Sequence, residues 1–237
     1  MALFTVPARF CGPPDSGNGG YTCGLLAREL GGVLECTLRA PVPLETPLEL
    51  ERTPTGGFLR HGDKTIVEAR ETSLDVTPPP PISLKEAAQV MSGSPALHAP
   101  HPFPTCFVCG PKRAEHDGLR IFPASTGNST YASAWVPDSQ FGDIEGDLKT
   151  EFLWAAMDCP TGFAAGFPTA GKLVTGRLAV QQLRPIHTGC GCVLMSWLLG
   201  IEGRKHFSAA CLYQNGELCA LARATWINTS ESRNLPT

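Results

Sequence analysis

A short glycine motif, Asn18-Gly19-Gly20, stands immediately before an apolar segment with helical spacing. The first backbone N–H groups of a helix have no partner within the helix, and the helix dipole makes that end attractive to negative charge. Glycine has no side chain to keep a ligand away from the backbone. The motif could therefore stabilise an oxyanion, but a Gly-Gly pair is also a common turn and Asn18 is equally suited to cap the helix.

A second chemical group is the carboxylate of Asp158, within a helical stretch at 148–165. A carboxylate beside a reactive carbonyl can activate water as a general base or attack the carbonyl directly. The alternative is structural: Pro160 lies two residues later, so Asp158 could cap a helix that restarts there or make a single structural hydrogen bond. The residues alone leave both interpretations open.

The segment Cys106-Phe-Val-Cys109-Gly110 resembles one half of a zinc knuckle. A structural zinc site normally uses four ligands, often as two Cys-x-x-Cys pairs, and the sequence has no second pair. Cys190-Gly-Cys192 has the wrong spacing. Three histidines are isolated candidates: His98, His101 and His116. We therefore expect no metal and interpret the cysteine segment as a turn that leads into the second half of the chain.

Composition limits the class of protein. The 237 residues are 42% hydrophobic and 17% charged, with a net charge of −3, which is typical of a globular chain and offers no basic field for nucleic acid or membrane lipids. No apolar run is long enough for a transmembrane helix. The start has no apolar leader, so we expect a cytoplasmic protein whose ten cysteines stay reduced.

The chain divides into two halves around a proline-rich segment. We place an N-terminal half at 1–76, a linker at 77–104 and a C-terminal half at 105–230, because Pro78 to Pro81 cannot lie in a helix interior or a central strand. A short helix is predicted within the linker, from Leu84 to Met91.

Each half shows a helix followed by several strand-like segments. The first half predicts a helix at 21–30 and strands at 33–39, 46–52 and 64–74. The second predicts strands at 118–122 and 129–136, a helix at 148–165, and strands at 173–184, 192–201, 206–214 and 217–227. Asn215-Gly216 is a strong hairpin signal between the last two strands. This order predicts an α+β fold rather than an alternating parallel one.

With these elements in place, the sequence resembles the hotdog thioesterase superfamily, and in particular tandem acyl-CoA thioesterases of the phenylacetate-pathway type. Asn18-Gly19-Gly20 is similar to the start of the central helix in that family. The stretch from Asp158 to Ala165 is similar to its Asp-x-x-x-Gly-x-Ala-Ala pattern. The resemblance implies a double hotdog, with two central helices each wrapped by antiparallel sheet, in one continuous curved sheet.

The resemblance also implies a single composite site. In such thioesterases the acid follows the first motif residue by nine positions, but here the position nine after Asn18 is Ala27, and the position nine before Asp158 is Lys149. Each half thus keeps only one part of the site. We expect Asn18, Gly19 and Gly20 of the first helix to meet Asp158 of the second, with Thr161, one turn later, positioning the attacking water.

The activity implied is hydrolysis of an acyl-CoA thioester in a homo-oligomer, with no cofactor beyond the coenzyme A of the substrate. Arg177 and Arg184 are weak candidates for binding its phosphates, since both are equally suited to be surface charges. One alternative is a non-catalytic acyl-CoA-binding or structural hotdog protein. Another is an enoyl-CoA hydratase, but such enzymes place a histidine a few residues after an aspartate, and neither Asp15 nor Asp158 has one.

Overall fold

The computed structural model describes residues 2–169 and 171–230. The strands are β1 (Leu3–Thr5), β2 (Leu34–Leu38), β3 (Pro47–Thr53), β4 (Gly56–His61), β5 (Lys64–Glu71), β6 (Ala124–Ser125), β7 (Thr130–Trp135), β8 (Leu173–Gln182), β9 (Cys192–Glu202), β10 (Lys205–Gln214) and β11 (Glu217–Asn228). They form one sheet in the order β1-β3-β4-β5-β2-β8-β11-β10-β9-β7-β6. The helices are α1 (Gly19–Leu30), α2 (Leu84–Met91), α3 (Pro95–His98) and α4 (Thr150–Ala164).

The two halves share this sheet. Strand β2 of the first half pairs antiparallel with β8 of the second, with Leu34 opposite Val180 and Thr37 opposite Arg177. Each half contributes one long helix, α1 or α4, and the two helices pack against each other on the sheet. The fold is therefore α+β, a double hotdog on one continuous antiparallel sheet, which confirms the predicted class.

The two long helices are buried to different extents. Every residue of α4 from Glu151 to Ala164 is buried, as expected for a segment that is apolar on all sides. In α1 the buried residues run from Gly20 to Ala27, while the last turn, Arg28 to Leu30, reaches the surface. The start of α1 and the middle of α4 therefore lie in the core.

One predicted strand is wrong. Residues 118–122 form no strand of the sheet, and Arg120 has a positive φ of 53°. Their backbone pairs with the cysteine segment instead: Leu119 N donates to Phe107 O at 2.8 Å, and Ile121 N donates to Val108 O at 2.9 Å. The alternating apolar residues Leu119 and Ile121 are buried, but they pack against a loop and not in the sheet.

The proline-rich segment is packed against the sheet. The expected helix appears as α2, with a capping box between Ser83 and Glu86, and Ala87 is buried in a cluster with Val193. Tyr213 donates a hydrogen bond from its hydroxyl to Pro79 O at 2.7 Å. Among the helices at 2–169 and 171–230, none is both long and apolar enough to cross a membrane.

Candidate functional site

Two glycines let α1 and α4 approach each other closely. A Cβ at Gly20 would lie 2.5 Å from Trp154 O, and a Cβ at Gly24 would lie 2.5 Å from the Cα of Glu151. Any side chain at these positions would overlap backbone atoms of α4. Because of this contact, the N-terminus of α1 lies against the middle of α4, where Asp158 is located.

The carboxylate of Asp158 is held by three hydrogen bonds. Its Oδ2 accepts from the Gly20 backbone N–H at 2.9 Å and from Asn18 Nδ2 at 3.4 Å, while its Oδ1 accepts from Thr175 Oγ1 at 2.8 Å. Asp158 is only 1% exposed. The structure therefore brings Asn18, Gly20 and Asp158 together from helices that are far apart in sequence.

Burial changes the acidity of this group. Loss of solvent raises the pKa of Asp158 to about 7, while the hydrogen bonds from Thr175, Gly20 and Asn18 act in the opposite direction. A carboxyl with such a pKa can take up and return a proton near neutral pH, as general acid–base chemistry requires.

The remaining members of the glycine motif line the same site. Asn18 Oδ1 accepts from the Tyr21 backbone N–H at 2.9 Å, so Asn18 is the N-cap of α1. Gly19 is the first residue of the helix, and within the described residues no hydrogen bond uses its N–H. This amide is the free donor of the motif, whereas the Gly20 N–H is already engaged by Asp158.

A cleft of about 480 Å³ opens in front of these groups. Asn18, Gly19, Asp158 and Thr175 all line it. Its apolar walls come from both halves and from the segment between them: Leu38, Val42, Phe103, Phe167, Leu173 and Trp226. Volume and lining fit a small-molecule site in which a few polar groups orient an apolar ligand.

Thr161 does not have the position expected for a water-binding group. Its hydroxyl donates to Asp158 O at 2.6 Å and accepts from Trp226 Nε1 at 2.8 Å, and Thr161 is not among the residues that line the cleft. With its hydrogen and one lone pair engaged in the core, this side chain supports α4 and the Trp226 ring instead.

Thr175 is a further polar residue of the site that no sequence pattern indicated. It lies on β8, and its hydroxyl bonds to Asp158, which lies on α4. Local spacing cannot link residues 175 and 158, because the contact depends on how α4 packs on the sheet. The only sequence signal is a hydroxyl residue in an otherwise apolar strand start.

The arginines suggested for coenzyme A phosphates lie elsewhere. Arg177 points to Glu35, with Nη1 3.5 Å from Oε1, and Arg184 donates from Nη1 to Leu218 O at 2.9 Å. Neither lines the cleft, and their role in binding the coenzyme A phosphates stays a prediction. The cationic residues that do line it are Arg39 and Lys172.

The cleft floor also contains thiols. The sulfur atoms of Cys106, Cys109 and Cys159 all lie within 4.8 Å of one another, and all three residues are buried. Hydrogen bonds from the Cys109 and Cys159 side chains hold the pKa of the Cys106 thiol well below its usual range, while burial raises the pKa of Cys109. Asn18 Nδ2 lies 4.0 Å from Cys106 Sγ, so the thiols adjoin the Asp158 site.

The opposite end of the helix pair differs from this site. By the same nine-residue spacing, Glu151 stands where Gly20 does, and Ala27 stands where Asp158 does. Glu151 Oε1 forms an ion pair with Arg28 Nη1 at 2.7 Å, and Glu151 is buried. Side chains therefore fill the place where a second, symmetry-related site would lie.

Comparisons with known proteins give matches among solved structures. A putative thioesterase related to phenylacetic acid degradation from Ralstonia eutropha is 22% identical, covers 46% of this chain and 85% of its own, and has a TM-score of 0.42. A mutant of the phenylacetic acid degradation protein PaaI from Thermus thermophilus is 19% identical and covers 46% and 94%, with a TM-score of 0.42. PaaI of E. coli is 14% identical and covers 46% and 84%, also with a TM-score of 0.42. This chain is similar to these three proteins over about half of its length. No family model and no curated protein matches it.

Proposed function

We propose that the protein hydrolyses an acyl-CoA thioester in the cleft between α1 and α4. The observation that carries the proposal is the carboxylate of Asp158, held beside the free N–H of Gly19 at a helix N-terminus, with both groups lining one apolar cleft. An acceptor for the proton of water and a donor for an oxyanion are the two groups that acyl transfer to water requires.

In this mechanism the thioester carbonyl lies at the start of α1. The Gly19 N–H donates to the carbonyl oxygen, and the positive end of the helix dipole stabilises the charge that develops there. Asp158 either removes a proton from water as the water attacks, or attacks the carbonyl itself and is released by water in a second step. In both versions the C–S bond breaks and the thiol of coenzyme A leaves with a proton.

The other polar residues would position these two groups. Thr175 and Gly20 each bond one carboxylate oxygen of Asp158, and Asn18 bonds the carboxylate and caps α1 at the same time. The orientation of the acid relative to Gly19 therefore depends on two helices and one strand.

Variants of Asp158 test the proposal. Asp158→Asn preserves side-chain volume, and we expect it to lower kcat for acyl-CoA hydrolysis by about a hundredfold or more, since the group that takes the proton is lost. Release of free thiol from a panel of acyl-CoA esters measures turnover. Asp75→Asn, at an exposed position outside the cleft, is the matched control and should keep wild-type activity.

A second variant separates chemistry from folding. Thr175→Val removes the hydroxyl that bonds Asp158 Oδ1 but keeps the shape of the side chain, so we expect kcat to fall and KM to change little. Full turnover by Asp158→Asn would overturn the assignment. If the wild type releases no thiol from any ester but its melting temperature rises with acyl-CoA, the protein is a binding module.

Other expectations follow from the same proposal. Substrate carries the coenzyme A, so no further cofactor takes part in hydrolysis. A hydratase is disfavoured, because no histidine is among the described residues that line the cleft. We also expect a cytoplasmic location, in which the ten cysteines would stay reduced.

A further inference from the structure

We propose that Cys106, Cys109 and Cys159 bind one zinc ion at the floor of the cleft, with one coordination position left open toward it. The three sulfurs come from two elements, a loop and helix α4, yet they lie within 4.8 Å of one another and are buried. Buried thiols usually lie singly among apolar side chains, so three that converge on one point indicate a shared ligand.

The spacing of the sulfurs fits tetrahedral zinc. A Zn–S bond of about 2.3 Å implies neighbouring sulfurs about 3.8 Å apart. The sulfurs of Cys106 and Cys159 are 3.8 Å apart, and no pair in the cluster is separated by more than 4.8 Å. The side chains therefore need to move by less than about 1 Å to bind an ion, which small χ changes provide.

The loop that carries Cys106 and Cys109 is shaped for this purpose. A Cβ at Gly110 would lie 2.5 Å from both the N and the O of Cys106, so only glycine fits where the turn closes. The turn is closed by Gly110 N, which donates to Cys106 O at 2.9 Å.

The fourth position would face the cleft. All three cysteines line it, so solvent or a ligand in the cleft can complete the coordination. Each thiol releases its proton to solvent on binding, and three thiolates with one Zn²⁺ carry a net charge of −1. Lys172 lines the same cleft and contributes a positive charge to it. Structural zinc sites usually have four protein ligands, whereas sites with three keep one position for water or another ligand, as proposed here.

This proposal departs from the sequence-based expectation of no metal. That expectation required a second Cys-x-x-Cys pair. The third ligand is instead a single cysteine on α4, 53 residues beyond Cys106, which no local spacing can reveal. The proposal does not depend on thioesterase activity, because metal binding can be measured without any substrate.

The test is a metal titration of the reduced, chelator-treated protein. Co²⁺ serves as a spectroscopic probe, since thiolate ligands give charge-transfer bands, and Zn²⁺ serves as the competitor. We expect one equivalent of Co²⁺ to bind with thiolate bands, and one equivalent of Zn²⁺ to displace it. Cys159→Ala and Cys109→Ala should each weaken binding at least roughly tenfold.

Cys211→Ala is the matched control, because Cys211 is a buried cysteine on β10 outside the cluster. It should bind both ions as the wild type does. Circular dichroism of the metal-free variants shows whether they fold. If either Cys159→Ala or Cys109→Ala does not fold, the Co²⁺ affinity of the other variant tests the site. Absence of thiolate bands in the wild type, or a folded cluster variant that binds Co²⁺ as tightly as Cys211→Ala does, would refute the site. Loss of metal binding with wild-type thiol release would leave the proposed hydrolysis intact.

Discussion

At the scale of single residues, Asn18 has both of the roles that the sequence left open, as a helix cap and as a member of the site. Asn18 caps α1 through Oδ1, which accepts from Tyr21 N–H, and it contacts Asp158 through Nδ2. Its capping role and its place in the site therefore coexist. Asp158 in turn uses both oxygens, so its orientation is fixed before any ligand binds.

Glu68 is a second buried carboxylate, and its pKa is lowered, whereas the pKa of Asp158 is raised. Glu68 on β5 is 7% exposed and forms ion pairs with Arg39 and Arg70. The hydrogen bond from Arg39 is the largest cause that lowers the pKa of Glu68 below its ordinary value. Because the folded-state pKa is the lower one, the ion pairs stabilise the fold above the ordinary pKa of glutamate, and this contribution is lost as the pH falls through the folded-state pKa.

We therefore predict that Glu68→Gln lowers the free energy of unfolding at pH 7 by about 1 kcal/mol, a modest value because both arginines are substantially exposed. Urea unfolding between neutral and acidic pH measures the effect, and the difference from wild type should shrink as the pH falls. Glu49→Gln, at an exposed position of β3, is the control and should show little difference at any pH. A Glu68→Gln effect that is independent of pH would contradict the ion-pair explanation.

At the scale of elements, the contact between α1 and α4 decides where the site forms. Gly20 and Gly24 are four residues apart, so they lie on one face of α1, and both touch the backbone of α4. Because neither glycine has a side chain, the backbones of α1 and α4 lie closer together than they could with larger residues at these positions. This close approach is the reason that an amide of α1 can bond a carboxylate of α4.

Gly24 offers a test of this contact outside the cleft. A Cβ there would lie 2.5 Å from Glu151 Cα and 2.9 Å from Trp154 Cβ, so we predict that Gly24→Ala lowers the free energy of unfolding by about 1–3 kcal/mol despite the better helix propensity of alanine. Gly200→Ala on β9, where no atom lies within 4 Å of the added Cβ, should change it by less than about 0.5 kcal/mol. Denaturant unfolding of both variants measures the two values. Equal stabilities would show that the helices are not held apart by the added methyl group.

At the scale of the whole molecule, the two halves are alike in fold and unlike in chemistry. One end of the helix pair carries the cleft, whereas the other end carries the ion pair of Arg28 and Glu151. Fusion of two halves in one chain allows each helix to keep a different part of the site. The proposed homo-oligomer would then have one site per chain, which binding stoichiometry can measure.

The ion pair makes this asymmetry testable. Glu151 is buried, and among residues 2–169 and 171–230 its Oε2 has no hydrogen-bond partner. Arg28 therefore provides its main compensation. We predict that Arg28→Ala lowers the free energy of unfolding by about 2 kcal/mol, because it leaves a buried carboxylate unpaired. The double variant Arg28→Ala with Glu151→Gln should recover part of this loss.

Thiol release should stay at the wild-type level in both variants, since neither residue lines the cleft. A loss of turnover would show that the two ends of the helix pair are coupled.

The elements themselves could be predicted from local patterns. Apolar spacing and glycine stops located α1, α4 and the four long strands of the second half within a few residues, and the Asn215-Gly216 turn was correct. The segment at 118–122 was misassigned, because an apolar alternation that packs against a loop resembles one that packs in a sheet. The class of fold followed from the order of these elements.

The sequence by itself determined which chemical groups are available: a glycine-rich helix start, one acid in an apolar helix and a Cys-x-x-Cys turn. Only the tertiary structure decided which of them meet, because the bonds of Asp158 to Gly20 and Thr175 join residues 138 and 17 positions apart. It also showed that Thr161, Arg177 and Arg184 do not line the cleft and that their polar groups bond to other residues. Contacts of this kind depend on helix-to-helix and helix-to-sheet packing, which leaves no local pattern in the chain.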